Sequence, residues 1–149
     1  MIEIIPATEE HVQAMRGHIR QADQDELWDG YEITPDEAMH LGLKMDSPCW
    51  AALRDGQVLA VGGIVPALPG GRSIPWMVGS DRLMGCKREF LEWSRGFVAR
   101  TRRTYGPLEN WVDARNRTAI RWLRAVGFKI HAPQAYGKHN LPFCHFEMR

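Results

Sequence analysis

Short apolar runs alternate along this chain with stretches whose apolar residues recur every three or four positions, so strands and helices are predicted to interleave. Ile2 to Ile5, closed by Pro6, reads as a first strand. Thr8 suits a helix N-cap, and Val12, Met15 and Ile19 share one face of a helix predicted to reach about Gln21. The segment QADQDELWDGYEI that follows is polar and acidic, with Leu27, Trp28 and Tyr31 embedded, and reads as a loop or a broken helix. Thr34-Pro35-Asp36-Glu37 supplies a capping hydroxyl, a proline at the first helical position and a glutamate three residues after the cap. It predicts a helix to about Met45 with Ala38, Leu41 and Met45 inward.

Cys49 to Leu53 and Gln57 to Val65 have strand character, joined by the hairpin signal Asp55-Gly56. Ser73 to Val78 predicts a further strand, interrupted at Pro75. A long amphipathic helix is predicted from about Leu83 to Arg103, ended by Gly106-Pro107. Asn110 to Asp113 reads as a short strand and Arg117 to Val126 as a helix closed by Gly127. Lys129 to His131 and Phe143 to Met148 complete the chain as strands. The order β-α-α-β-β-β-α-β-α-β-β, without repeats or linkers, points to one mixed α/β domain over residues 1–149.

Composition adds modest constraints. With 44% hydrophobic and 25% charged residues the chain reads as soluble and globular, and no apolar run approaches the ~20 residues of a membrane helix. The acidic N-terminus lacks the basic start of a signal peptide, so the expected location is the cytoplasm, host cytoplasm or virion for a phage-encoded chain. Three cysteines without a C-x-x-C pair read as free thiols. His139, Cys144 and His145 lack a matching second pair of ligands, so no metal is expected.

Charge is more informative. The net charge of +1 argues against a dedicated nucleic-acid binder. Residues 1–71 nevertheless carry 4 Lys/Arg and 12 Asp/Glu, a balance of −8, and residues 72–149 carry 15 and 6, a balance of +9. A basic half attracts phosphates and an acidic half attracts amines, although opposite charges also serve simply to pack two halves together.

One motif decides the direction of the argument. Asn116-Arg117-Thr118-Ala119-Ile120-Arg121-Trp122-Leu123-Arg124-Ala125-Val126-Gly127-Phe128 resembles the late N-x-x-A…G-F motif of the GNAT superfamily of N-acetyltransferases. The element order and the opening IEIIPATEEHV are similar to that superfamily over essentially the whole chain. The resemblance implies a mostly antiparallel mixed sheet whose two central parallel strands splay apart, with helices on both faces. It also implies acetyl-coenzyme A as cosubstrate, its pantetheine arm lying in the gap and its pyrophosphate on a helix N-terminus. On this resemblance the coenzyme contacts fall on Met77, Val78, Arg82, Leu83, Gly85, Cys86, Lys87, Arg88 and Asn116, with a backbone N–H at Val78 or nearby polarising the thioester.

The match has two departures. The (Q/R)-x-x-G-x-(G/A) phosphate loop is represented by Arg82-Leu83-Met84-Gly85-Cys86-Lys87, which places a lysine where a small residue is expected. Leu123 occupies the position of the Tyr that protonates the departing thiolate, a loss of general acid help worth ~10²–10⁴-fold. Cys86, Ser80 and Tyr136 are available substitutes that no spacing separates. Asp113 and Glu109 are the carboxylates near the expected thioester, Asp113 being the candidate base. Asp23, Asp25, Glu26 and Asp29 lie where the superfamily builds its acceptor wall, which would suit an amine or a Lys-containing protein. IPWMVGSD and the late motif are also similar to GNAT-like proteins of tailed bacteriophages, including the internal virion protein family of T7-like phages. That resemblance implies an alternative, a weak or inactive GNAT fold serving virion assembly or host interaction. A homodimer or a phage or host protein partner stays open.

Overall fold

The computed structural model describes all of residues 1–149. Its chain order is β1 (Ile2–Pro6), α1 (Glu9–Met15), α2 (Gln21–Tyr31), α3 (Pro35–Lys44), β2 (Cys49–Arg54), β3 (Gln57–Val65), β4 (Ile74–Gly79), a short 3-10 helix (Asp81–Gly85), α4 (Lys87–Tyr105), β5 (Leu108–Asp113), α5 (Arg117–Val126), β6 (Lys129–Ile130), β7 (Gln134–Tyr136) and β8 (Leu141–Met148).

The strands form two antiparallel sheets, β1-β2-β3-β4 and β5-β8-β6, with β7 also pairing β8. They meet at one parallel bridge between Ser73 and Leu108, where Ser73 N–H donates to Pro107 O (2.8 Å) and Glu109 N–H to Ser73 O (3.0 Å). Beyond that bridge β4 and β5 part. α1 and α3 cover one face of the first sheet around Val12, Met15, Met39, Val61 and Val78. α4 and α5 cover the opposite face, around Phe90 and Leu59 on the first sheet and Leu123, Val126, Cys144 and Phe146 on the second. The cysteines are free thiols, as expected. No helix is long and apolar enough to cross a membrane.

Four sequence expectations need correction. α1 stops at Met15 rather than Gln21, because Gly17 takes a left-handed turn (φ 79°). Residues 18–20 then run along the end of β4, Arg20 N–H donating to Gly79 O (3.0 Å) and Asp81 N–H to His18 O (2.7 Å). The acidic segment, read as a loop or a broken helix, is the continuous helix α2. Its inward face carries Asp23, Glu26 and Gly30, polar or small residues at helical spacing, so the apolar stripe that marks a helix is missing. In α3 the buried residues are Met39 and Gly42, whereas Leu41 is 57% exposed. Finally, β7 had no strand signal. It is fixed by its turn, where Lys138 N–H donates to Gly30 O (2.9 Å) and a Cβ on Gly137 would lie 2.7 Å from Gly30 Cα.

Candidate active site

Each backbone group along the inner edge of β4 has a traceable fate. Neighbouring N–H groups of a strand turn to opposite edges. Ser80 N–H turns to β3 (Leu59 O, 2.9 Å), and Gly79 N–H turns away from it to Asp23 Oδ2 (2.7 Å). The same alternation turns Val78 N–H to β3 and Met77 N–H into the gap. Pro75 has no N–H, and its carbonyl accepts from Asn110 Nδ2 (2.7 Å). The facing edge of β5 is held similarly: Trp111 N–H by Asn110 Oδ1 (2.8 Å) and Asp113 N–H by Glu26 Oε1 (2.8 Å). Asp23 and Glu26, one turn apart on α2, thus tether the diverging strand ends in place of inter-strand hydrogen bonds.

The result is a cleft of ≈ 1060 Å³ running through the sheet, at the upper end of ligand-pocket sizes. On the α4–α5 side it is lined by Met77, Leu83, Lys87, Phe90, Trp122 and Leu123. On the α2–α3 side the lining includes Glu26, Tyr31, Trp76, Trp111 and Tyr136. Trp111 stacks on Tyr136 (4.3 Å between ring centres, 14°), and the Tyr136 hydroxyl meets that of Tyr31 at 3.0 Å. Burial and this hydrogen bond raise the Tyr31 pKa.

Glu26 is the distinctive titratable group of the cleft. Its Oε1 accepts from Asp113 N–H and, at 3.5 Å, from Asn116 Nδ2. Its pKa is pushed up to about 7 by burial, the Asp113 N–H bond opposing and the Asp23 charge reinforcing the shift. Asp23 is raised by burial as well, opposed by Arg20, whose Nη1 lies 3.0 Å from Asp23 Oδ1. Asn116, 5% exposed, caps α5 by accepting from Ala119 N–H (3.3 Å) and also receives Arg20 Nη2 (3.4 Å).

The expected site residues divide accordingly. Met77, Val78, Leu83, Lys87, Asn116 and Leu123 line the cleft, but the Val78 N–H belongs to the β3 pairing, so the donor in the gap is Met77. The Arg82 guanidinium is engaged on backbone carbonyls: its Nη1 donates to Val58 O (3.2 Å) and Ala14 O (3.5 Å). The segment expected as a phosphate loop is wound into the 3-10 helix, with Leu83 and Cys86 buried in the core. A Cβ on Gly85 would meet nothing within 4 Å. Lys87 forms no ion pair, and Arg88 is almost fully exposed with a distant 3.9 Å contact to Glu92.

Asp113 does not supply a free carboxylate. Arg115 donates to both its oxygens, from Nε (3.0 and 3.2 Å) and Nη2 (2.6 Å), and also reaches Asp29. Glu109 sits at the closed end of the gap with Arg72 (3.5 Å) and His145 (3.4 Å). Among the substitute acids, the Ser80 hydroxyl is spent on Leu59 O (2.8 Å), burial raises the Cys86 thiol, and Tyr136 faces the cleft.

His139, Cys144 and His145 do not converge. His139 contacts Asp29 and Glu32, while Cys144 is buried among the residues under α5. His131, His145 and Glu147 do approach one another within 4.8 Å. Glu147 Oε1 is already held by Arg72 and Arg149, each at 2.9 Å, and Oε2 by His131 at 2.5 Å. These partners, Arg149 first, hold its pKa down to about 2. Two guanidinium groups on the carboxylate a cation would need make this a charge network.

No family model and no curated protein matches the chain by sequence. Solved structures do match over its whole length. A ribosomal-protein-alanine N-acetyltransferase from Brucella melitensis aligns over 98% of both chains, at 20% identity and a TM-score of 0.64. A GNAT superfamily phosphinothricin acetyltransferase from Sinorhizobium meliloti, solved in complex with AcCoA, aligns over 99% of this chain and 87% of its own (14% identity, TM-score 0.69). A GCN5-related N-acetyltransferase from Kribbella flavida aligns over 99% and 96% (16% identity, TM-score 0.66). The fold is that of the GNAT acetyltransferases. The likeness to phage virion proteins gains no support from these matches.

Proposed function

We propose that this protein transfers an acetyl group from acetyl-coenzyme A directly to a primary amine in the cleft between β4 and β5. The observation that carries the reading is the splay itself, which leaves the Met77 N–H without a strand partner in the middle of the gap. In this reading the Met77 N–H donates to the thioester carbonyl and stabilises the negative charge it gains as the amine attacks. The new C–N bond forms, the C–S bond breaks, and the coenzyme leaves as a thiolate that takes up a proton from the amine nitrogen. The coenzyme arm fits the side lined by Met77, Phe90 and Leu123, where the Trp122 indole N–H is buried without an acceptor. Lys87 and Arg88, at the start of α4, are the cations left for its phosphates. Leu123 leaves no hydroxyl at the position that the resemblance gives to the acid, so in this reading the amine nitrogen itself supplies the proton that the thiolate takes up.

A second reading, a GNAT fold without catalysis that serves as an assembly or interaction module, draws on the wound phosphate loop and the engaged Arg82. Phe90 also stacks on Trp122 across the α4–α5 seam, 5.8 Å between ring centres. Calorimetric titration with acetyl-coenzyme A, followed by assay with lysine amide and phenethylamine, separates the two. Saturable binding with acetylated product is expected, and absence of both leaves only the module.

A further inference from the structure

Glu26 lines the cleft beside the diverging end of β5. One oxygen is committed: Oε1 accepts from the Asp113 N–H at 2.8 Å and from Asn116 at 3.5 Å. The other, Oε2, makes no hydrogen bond within the protein, and the side chain is only partly buried because it lines the cleft. A carboxylate with one oxygen anchored on a strand N–H and the other free is fixed in place yet able to accept a proton. The groups facing it are Asp23 and Tyr31 from its own helix, Asp113 from β5, Asn116 at the start of α5, and Arg20 through Asn116 and Asp23. Asp23 and Asp113 are both engaged, by Gly79 and Arg20 and by Arg115. Tyr31 is held by Tyr136.

We propose that Glu26 is the general base of this site, accepting a proton from a primary ammonium acceptor that enters over the rings of Trp111, Tyr31 and Tyr136. This rests on the acyl-transfer reading above and names the residue and acceptor class that reading requires. An amine arrives largely protonated at neutral pH and cannot attack until it loses a proton. The ammonium gives that proton to Glu26 Oε2, the freed lone pair attacks the thioester carbon, and protonated Glu26 later releases the proton to solvent. A base is most useful when its pKa lies near the working pH, and burial lifts Glu26 to about 7. Trp111, Tyr31 and Tyr136 give the cleft an aromatic wall on the Glu26 side, and an electron-rich wall favours a cationic amine over a neutral alcohol.

Glu26→Gln separates chemistry from scaffolding. The amide keeps an Oε1 acceptor for the Asp113 N–H, so a purely structural role survives it, but the amide cannot accept a proton at neutral pH. With acetyl-coenzyme A and phenethylamine, the variant is expected to bind the coenzyme within about twofold of wild type. Its turnover is expected to fall by ~10²-fold or more, with loss of the rise in rate near pH 7. A ¹³C-carboxyl titration of Glu26 in the wild-type complex with acetyl-coenzyme A is expected to show a midpoint near neutrality. Wild-type turnover that Glu26→Gln leaves intact, with an unchanged pH profile, overturns the base while sparing acyl transfer. A carboxyl midpoint in the ordinary glutamate range also overturns it. A wild type that neither binds acetyl-coenzyme A nor acetylates overturns both readings together.

Discussion

Glu26 holds a proton near neutrality that an exposed glutamate would have lost, and stability must register this. Its folded-state pKa, about 7, lies above the value of an unfolded glutamate, about 4.3, so the folded chain binds the extra proton between those two values. Stability therefore falls as pH rises through that window, by at most ~1.4 kcal/mol per pH unit from this group, and levels off above it. Glu26→Gln removes the contribution. Urea titrations at pH 5 to 8 are expected to show a flatter profile for the variant and, at pH 8, greater stability than wild type. Parallel profiles would mean that Glu26 is not held in its raised state. Leu123 offers a second residue-scale test. It is 6% exposed in the core under α5 and also lines the cleft, so Leu123→Tyr introduces a hydroxyl at the position that the sequence resemblance gives to the acid. Overpacking is expected to cost ~1–3 kcal/mol. Turnover per folded molecule, measured with the coenzyme at saturation, is expected to rise. A folded variant with unchanged turnover would show that proton return to the thiolate is not the limiting defect.

Elements whose ends carry their own chemistry were legible in the sequence, and elements defined by tertiary partners were not. α3 was predicted from Thr34, Pro35 and Glu37 alone, and the structure forms the capping box those residues specify. The end of α5 followed from Gly127 in the same way, and the Asp55-Gly56 hairpin from its turn. α2 was left between a loop and a broken helix because its inward positions hold Asp23 and Glu26, whose reason for facing inward is two backbone N–H groups on strands more than fifty residues away. Asp113 was read as the carboxylate of interest when its structural contribution to the cleft is its N–H. A spacing of three between Asp23 and Glu26, continued to Gly30, was the available signal. Two measurements test the elements as described. A Cβ on Gly42 would lie 2.3 Å from the Trp76 indole, so Gly42→Ala is expected to push α3 off β4 and cost ~1–3 kcal/mol in chemical denaturation. Asn116→Ala removes the α5 cap together with contacts to Arg20 and Glu26. It is expected to cost ~1 kcal/mol or more and to weaken acetyl-coenzyme A binding, and an unchanged affinity would detach this network from the coenzyme.

Across the whole molecule the charge asymmetry of the sequence acquires a geometry. The acidic first half supplies α1, α2 and α3 on one side of the cleft, and the basic second half supplies α4 and α5 on the other. On the proposed acyl-transfer reading, a polyanionic coenzyme would approach from the basic side and a cationic amine from the acidic side, and long-range charge would favour each approach. A fold shared at 14–20% identity with acetyltransferases does not carry their activity with it, so this arrangement needs its own test. Lys87 is the place to make it. It lines the cleft at the start of α4, makes no ion pair, and can be reversed without touching the core. Charges interact over about 10 Å in 0.1 M salt and about 3 Å in 1 M salt. If Lys87 serves the coenzyme phosphates, Lys87→Glu is expected to weaken acetyl-coenzyme A binding several-fold in 0.1 M salt, and the gap to wild type should narrow as salt is raised. Equal affinities at low salt would move the phosphates away from α4. Since Arg82 is already tied to Val58 and Ala14, the basic face of α5, with Arg117, Arg121 and Arg124, would then be the surface to mutate next.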